Sequence, residues 1–262
     1  MNKTQIEWVK NPDGTQGYTW NPITGCLNNC SYCYARRLAN GRLKPLYLAN
    51  KNTTYTPSNI SMAFNEHPDS DPFYPRFWGT RFWDLPIEER AKPRGIFVCD
   101  MSELFGDWIP DEWIRKIFAR MWWGKQHRYY LLTKQPQNLI KWSPFPDNCW
   151  VGVTVTGSKA FEKATYYLRS IEAKTKYISF EPLLEPIGNM LAWLEQTVNW
   201  VIIGQQTPVK MSTMPKIRWV EEVVRAANKA NIPVFLKDNL ISCVDQYEFA
   251  LKDSKYRQEM PE

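Results

Sequence analysis

From residue 95 onward, short apolar runs alternate with amphipathic stretches, an order that predicts repeated βα units around a parallel sheet. The expected strands are Gly95 to Cys99, Tyr129 to Thr133, Trp150 to Val155, Tyr177 to Phe180, Trp200 to Ile203 and Val234 to Leu236. Between them, apolar residues recur at helical spacing. Trp113, Ile114, Ile117, Phe118 and Met121 form one stripe behind the start signal Pro110-Asp111. Phe161, Ala164, Leu168 and Ile171 form a second, and Val220, Val223, Val224, Ala227 and Ala230 a third. All three read as core-facing surfaces.

Upstream, Tyr18 to Ile23 reads as a further strand, followed by a cysteine-bearing loop and a helix from Tyr34 to about Leu43. Residues 44–94 show no long period, although Tyr74 to Trp78 has the character of one more strand. A stretch this long inside one domain reads as an inserted lid or binding region. The expected fold is therefore α/β: a TIM-like (β/α) barrel, complete or partial, spanning 1–262 as one domain with an insertion after the first βα unit. An open six-stranded barrel is the alternative.

Barrels of this kind carry their active sites where strands end. Polar groups follow six successive expected strands: Asp100, Ser102 and Glu103; Thr133 and Lys134; Thr154; Glu181; Gln205 and Gln206; Lys237. Polar turns explain some of these. They explain less well Lys134, Glu181 and Lys237, each directly after an apolar run.

The most specific chemistry lies in the run CLNNCSYCY, where Cys26, Cys30 and Cys33 are spaced to grip one metal centre. Thiolates are the usual ligands of iron-sulfur clusters, and three of them leave one iron of a 4Fe-4S cubane open. A structural zinc would want a fourth Cys or His, and neither His67 nor His127 forms a paired motif with the triplet. Zinc and free thiols are the competing readings. Cys99, Cys149 and Cys243 stand apart and read as buried thiols.

The three-cysteine spacing, with Tyr32 before the third cysteine, resembles the radical S-adenosylmethionine (SAM) superfamily. The runs TWNPITGC, FVCDMSELFGD, LLTKQPQNL, WVGVTV, ISFEPLLEPIG and WVIIG resemble a phage-associated, three-cysteine family within it. The resemblance covers most of the chain from Thr19 to about Lys237. It implies a 4Fe-4S cluster on Cys26, Cys30 and Cys33, with SAM chelating the open iron and an electron donor such as flavodoxin or ferredoxin. SAM is then cleaved to a 5'-deoxyadenosyl radical that takes a hydrogen from substrate.

Carried onto this chain, Tyr32 would contact adenine, and Ser102, Glu103, Thr133, Lys134 and Thr154 would line the SAM site. Glu181, Lys237 and Asp100 would face substrate. Two departures stand out. After Gly204 the family continues with Gly and Glu-Ser and then Arg-Pro-Met, whereas this chain reads Gln205-Gln206-Thr207-Pro208-Val209-Lys210-Met211. The Gly-Gly-Glu element that holds the SAM amine in many radical SAM enzymes is also missing, and Ser102, Glu103 or Lys134 would stand in for it.

Composition adds a partner and a compartment. The net charge of +6 is concentrated near the cysteines, since the first fifty residues hold six basic side chains against two acidic ones. An anionic partner such as DNA or a modified nucleotide would be drawn there. With the phage resemblance, this points to a modified pyrimidine base as substrate, with Arg36 and Arg37 on phosphate and Trp78 or Trp83 stacking on a base. A nucleic-acid-binding protein with a structural metal, or a radical enzyme acting on a small molecule, are the other functions considered. No run is long and apolar enough to span a membrane and no signal peptide is evident, so a cytoplasmic location is expected.

Overall fold

A computed structural model describes residues 1–53, 70–80 and 91–261. Among these, the main feature is an eight-stranded sheet in the order β1-β2-β5-β6-β7-β8-β9-β10. Its members are β1 (Asn2–Lys3), β2 (Tyr18–Trp20), β5 (Gly95–Val98), β6 (Arg128–Thr133), β7 (Cys149–Thr154), β8 (Thr175–Phe180), β9 (Trp200–Ile203) and β10 (Val234–Leu236). From β2 to β10 every pairing is parallel; β1 alone runs antiparallel, along the β2 edge.

All six strands expected after residue 95 are present, two of them with the expected bounds. The N-terminal half of the expected set is different. Tyr18 to Ile23 breaks into β2 and β3 (Ile23–Thr24). The strand expected at Tyr74 to Trp78 is β4 (Arg76–Phe77), which pairs with β3 in a separate two-stranded sheet. The eighth place in the large sheet goes instead to Asn2–Lys3, two exposed polar residues with no strand signature. The sheet is not closed, so the complete barrel is not what the described residues form.

Strand alternation sorts the core into two layers. On the outer face, Ile96, Val98, Tyr129, Leu131, Val151, Val153, Ile178 and Phe180 pack against the helices Asp111–Trp123, Ser158–Arg169 and Ile217–Lys229. The three apolar stripes read from the sequence supply the helical side. The cap read at Pro110-Asp111 is different from expectation: Pro110 occupies the cap with no side-chain bond, and Asp111 pairs with Arg115 and Lys141.

The inner face is aromatic: Phe97, Tyr130, Trp150, Tyr177, Trp200 and Phe235, gathered about Trp8. The Trp8 ring lies 5.0 Å from Phe97 on β5, 5.6 Å from Tyr130 on β6, 6.0 Å from Tyr177 on β8 and 6.2 Å from Trp200 on β9. In a flat sheet β5 and β9 would stand about 19 Å apart, four strand spacings. One indole reaches both only because the sheet is curled around it. The N-terminal segment thus plugs the hollow of an open, strongly curved sheet. Above the plug, the strand ends enclose a cavity.

The expected helix from Tyr34 stops at Asn40 ahead of Gly41, and a second begins at Lys44 with Pro45 in its first turn. About half of the inserted region read at 44–94 lies outside the described residues, Trp83 included. No helix among the described residues is long and apolar enough to cross a membrane.

Candidate active site

The cavity measures about 630 Å³, within the usual range for sites that bind small molecules. It is lined by Cys26, Cys30, Tyr32 and Cys33 from one loop, and by Asp100, Ser102, Glu103, Lys134, Thr154, Glu181 and Lys237 from the strand ends. Thr133 alone, of the site residues read from the sequence, is not in the lining. Its hydroxyl donates to Glu103 Oε1 at 2.6 Å instead.

The cysteine loop is held from three sides. Gly25, at φ +87°, lies so close under the carbonyls of Phe73 and Tyr74 that a Cβ would overlap both, so only glycine fits there. Its N–H donates to the Met101 carbonyl at 2.9 Å, and the Ser102 hydroxyl donates to its carbonyl at 2.6 Å. Arg36 donates to the Cys26 carbonyl at 3.1 Å and stacks over Phe73. Arg36 therefore braces the loop, which leaves Arg37 as the exposed member of the pair.

Glu103 is the hub beneath the loop. Besides Thr133, it accepts from the backbone N–H of Lys134 at 2.8 Å and of Phe105 at 3.3 Å, and from the Asn28 side chain at 3.2 Å. Gln135 completes the link by donating to Asn28 at 2.9 Å. At 3% exposure, Glu103 ties the ends of β5 and β6 to the loop. Ser102 likewise makes its bond to backbone. Lys134 is different: its exposed ammonium has only a long 3.4 Å bond to Thr154, leaving it available to an anion.

The thiols are not alike. Burial pushes the Cys26 pKa up to about 12, against a 3.4 Å N–H bond from Asn28, so the thiolate there needs a positive partner. Cys33 caps the following helix and accepts from the Arg36 N–H at 3.3 Å. Among the described residues, no three His, Cys, Asp or Glu side chains surround a point where a single ion would sit. Elsewhere, Cys99 and Cys149 are buried thiols as read, whereas Cys243 is half-exposed.

Asp100 sits behind the cysteines. Burial raises its pKa above the carboxylate norm, despite hydrogen bonds from Asn21 at 2.6 Å and Tyr34 at 3.4 Å. At the end formed by β8 to β10, Lys237 lies 2.6 Å from Glu181. A second carboxylate, Glu7, stands 3.6 Å from the same ammonium. Burial opposes that charge, but the two carboxylates outweigh it and hold the Lys237 pKa above the ordinary lysine range. Glu7 was not foreseen, since nothing in Gln5-Ile6-Glu7-Trp8 marks a site until Trp8 carries it into the hollow.

Trp78, read as a stacking wedge, donates its indole N–H to Thr24 at 2.8 Å and packs on Tyr47. It is fixed against the cysteine-bearing segment.

Fold and site together define an α/β protein with an open, mostly parallel sheet and a thiol-bearing cavity at its strand ends. The chain belongs to the DUF5131 family, whose description is a protein of unknown function, and the match spans residues 3–248. No curated protein and no solved structure matches it.

Proposed function

We propose that the protein is a radical SAM enzyme built on a partial barrel. The observation that carries this reading is the opening of Cys26, Cys30 and Cys33 into one cavity with the strand-end residues Lys134, Thr154, Glu181 and Lys237. A 4Fe-4S cluster, when bound, supplies the electron that cleaves SAM to methionine and the 5'-deoxyadenosyl radical that takes hydrogen from substrate.

The chain's own residues do the rest. Gly25, Ser102, Arg36 and Glu103 fix the loop so that the three thiols face the cavity. The loosely held Lys134 ammonium suits a carboxylate such as that of SAM, and Tyr32 lines the same wall for the adenine. The aromatic plug keeps water from the floor.

Anaerobic reconstitution should yield about four irons per chain, lost when Cys26, Cys30 and Cys33 are all replaced by Ala. Reduced protein should release 5'-deoxyadenosine from SAM. Lys134→Ala should raise the KM for SAM by about tenfold, the scale of one charge-assisted hydrogen bond. Stoichiometric zinc without iron-sulfur absorption would reject the reading. A small acidic electron donor of the flavodoxin or ferredoxin kind is the partner implied. A base in DNA as substrate accords with the basic first fifty residues, and requires DNA affinity that falls steeply with salt and DNA that stimulates SAM cleavage.

A further inference from the structure

We infer that the end of the cavity formed by β8 to β10 is a subsite for an amine group of the substrate, with Glu7 as the residue that sets its selectivity. The assignment to substrate rests on the radical SAM reading; the charge argument stands without it.

One cation there faces two carboxylates. Lys237 is spent on Glu181 at 2.6 Å and sits 3.6 Å from Glu7, so the group carries one excess negative charge. Ser179 already donates to the other Glu181 oxygen at 2.9 Å. Glu7 is the less committed carboxylate, and only about a fifth of it is exposed. A charge this shielded is screened weakly.

A second observation points the same way. Gln205 is 3% exposed and lines the cavity beside this group, immediately after Gly204, where a Cβ would stand 2.9 Å from Lys237 Cδ and 3.0 Å from Glu181 Cγ. Its amide nitrogen is engaged by the Asn239 carbonyl, while its Oε1 is buried and without a partner. A buried acceptor left unpaired is costly, and a donor-rich ligand would relieve it.

The unmet demand is thus for donors and positive charge. An ammonium supplies three N–H donors and the missing charge, whereas a carboxylate would meet an excess of its own sign. Trp8, which also lines the cavity, has a buried indole N–H without a partner as well. The whole chain carries +6 and repels amines at long range, so any preference for them must arise locally.

The test uses as its parent anaerobically reconstituted full-length protein carrying Lys134→Ala, so that butyrate is not held by that ammonium, at low salt, with n-butylamine and n-butyrate as probes and binding read by ligand-observed NMR. The parent should bind the amine at least about tenfold more tightly, the scale of one charge-assisted hydrogen bond. Glu7→Gln should bring the two probes near parity, and Glu7→Lys should reverse the order. If Glu7→Lys does not fold, Gln205→Leu provides the second arm and should weaken the amine alone.

Parity in the parent, or an amine preference that survives Glu7→Gln, overturns the proposal. Repeating the titration with saturating SAM decides the occupant. Retained preference places the amine on the substrate, and displacement would show that the subsite holds SAM's own amino group, overturning that assignment. Iron content of the same samples separates this outcome from failure of the radical SAM reading.

Discussion

Glu103 shows how a single carboxylate can serve a site without facing its ligand. Its four hydrogen bonds reach two strand ends and the cysteine loop, so Glu103→Ala would strand several buried donors at once. The expected loss is roughly 3 kcal/mol by denaturant unfolding, against about 1 kcal/mol for Ser102→Ala, which removes one bond. Iron retention after gel filtration should fall in parallel for Glu103→Ala.

His127 gives the residue scale a pH signature. It is buried, and burial lowers its pKa from 6.5 to about 4, so the unfolded chain takes up the proton first. Its contribution is complete above about pH 6.5 and is lost as pH falls towards about 4. Thermal midpoints measured across that window should decline, and His127→Gln should decline less steeply. Residues such as Lys134 and Lys237 were legible because charge directly after an apolar run is hard to explain as turn. Glu7 was not, since its partner lies 230 positions away and only tertiary structure joins them.

At the scale of elements, β5 to β10 were readable because parallel strands covered on both faces are nearly continuous apolar runs. The two-residue strands carry no such pattern. β1 is polar and exposed, and its strand character comes wholly from pairing with β2. β4 has the right composition but the wrong sheet, because composition does not specify a partner.

One element contact is unusually tight. Gly152 on β7 lies beneath the Tyr177 ring of β8, where an added Cβ would overlap the ring, and the Tyr177 hydroxyl is fixed to the Leu131 carbonyl at 3.0 Å. Gly152→Ala should therefore cost about 1–3 kcal/mol as an overpacked core does, read as a lower denaturant midpoint. Pairing it with Tyr177→Leu should recover part of that loss.

At the scale of the molecule, the curl of the sheet depends on Trp8, which joins rings from four strands. Trp8→Ala should cost roughly 3–5 kcal/mol and lower the melting temperature by roughly 10 °C. A change confined to the N-terminal segment without effect on the hollow would lower it far less. The βα repeats implied a sheet with its site at the strand ends, and the structure has the sheet and a cavity at those ends. How far the sheet closes depends on long-range packing and could not be read from local pattern.

The reach of Trp8 from β5 to β9 also sets an order of events. Its contact with Trp200 spans 192 residues, so the hollow cannot close until β9 has been made. Cys26 to Cys33 precede every strand from β5 to β10, so the thiols are made before the walls that surround them. Under the radical SAM reading, air oxidation of these thiols would compete with cluster loading, and expression under anaerobic conditions should raise the iron bound per chain.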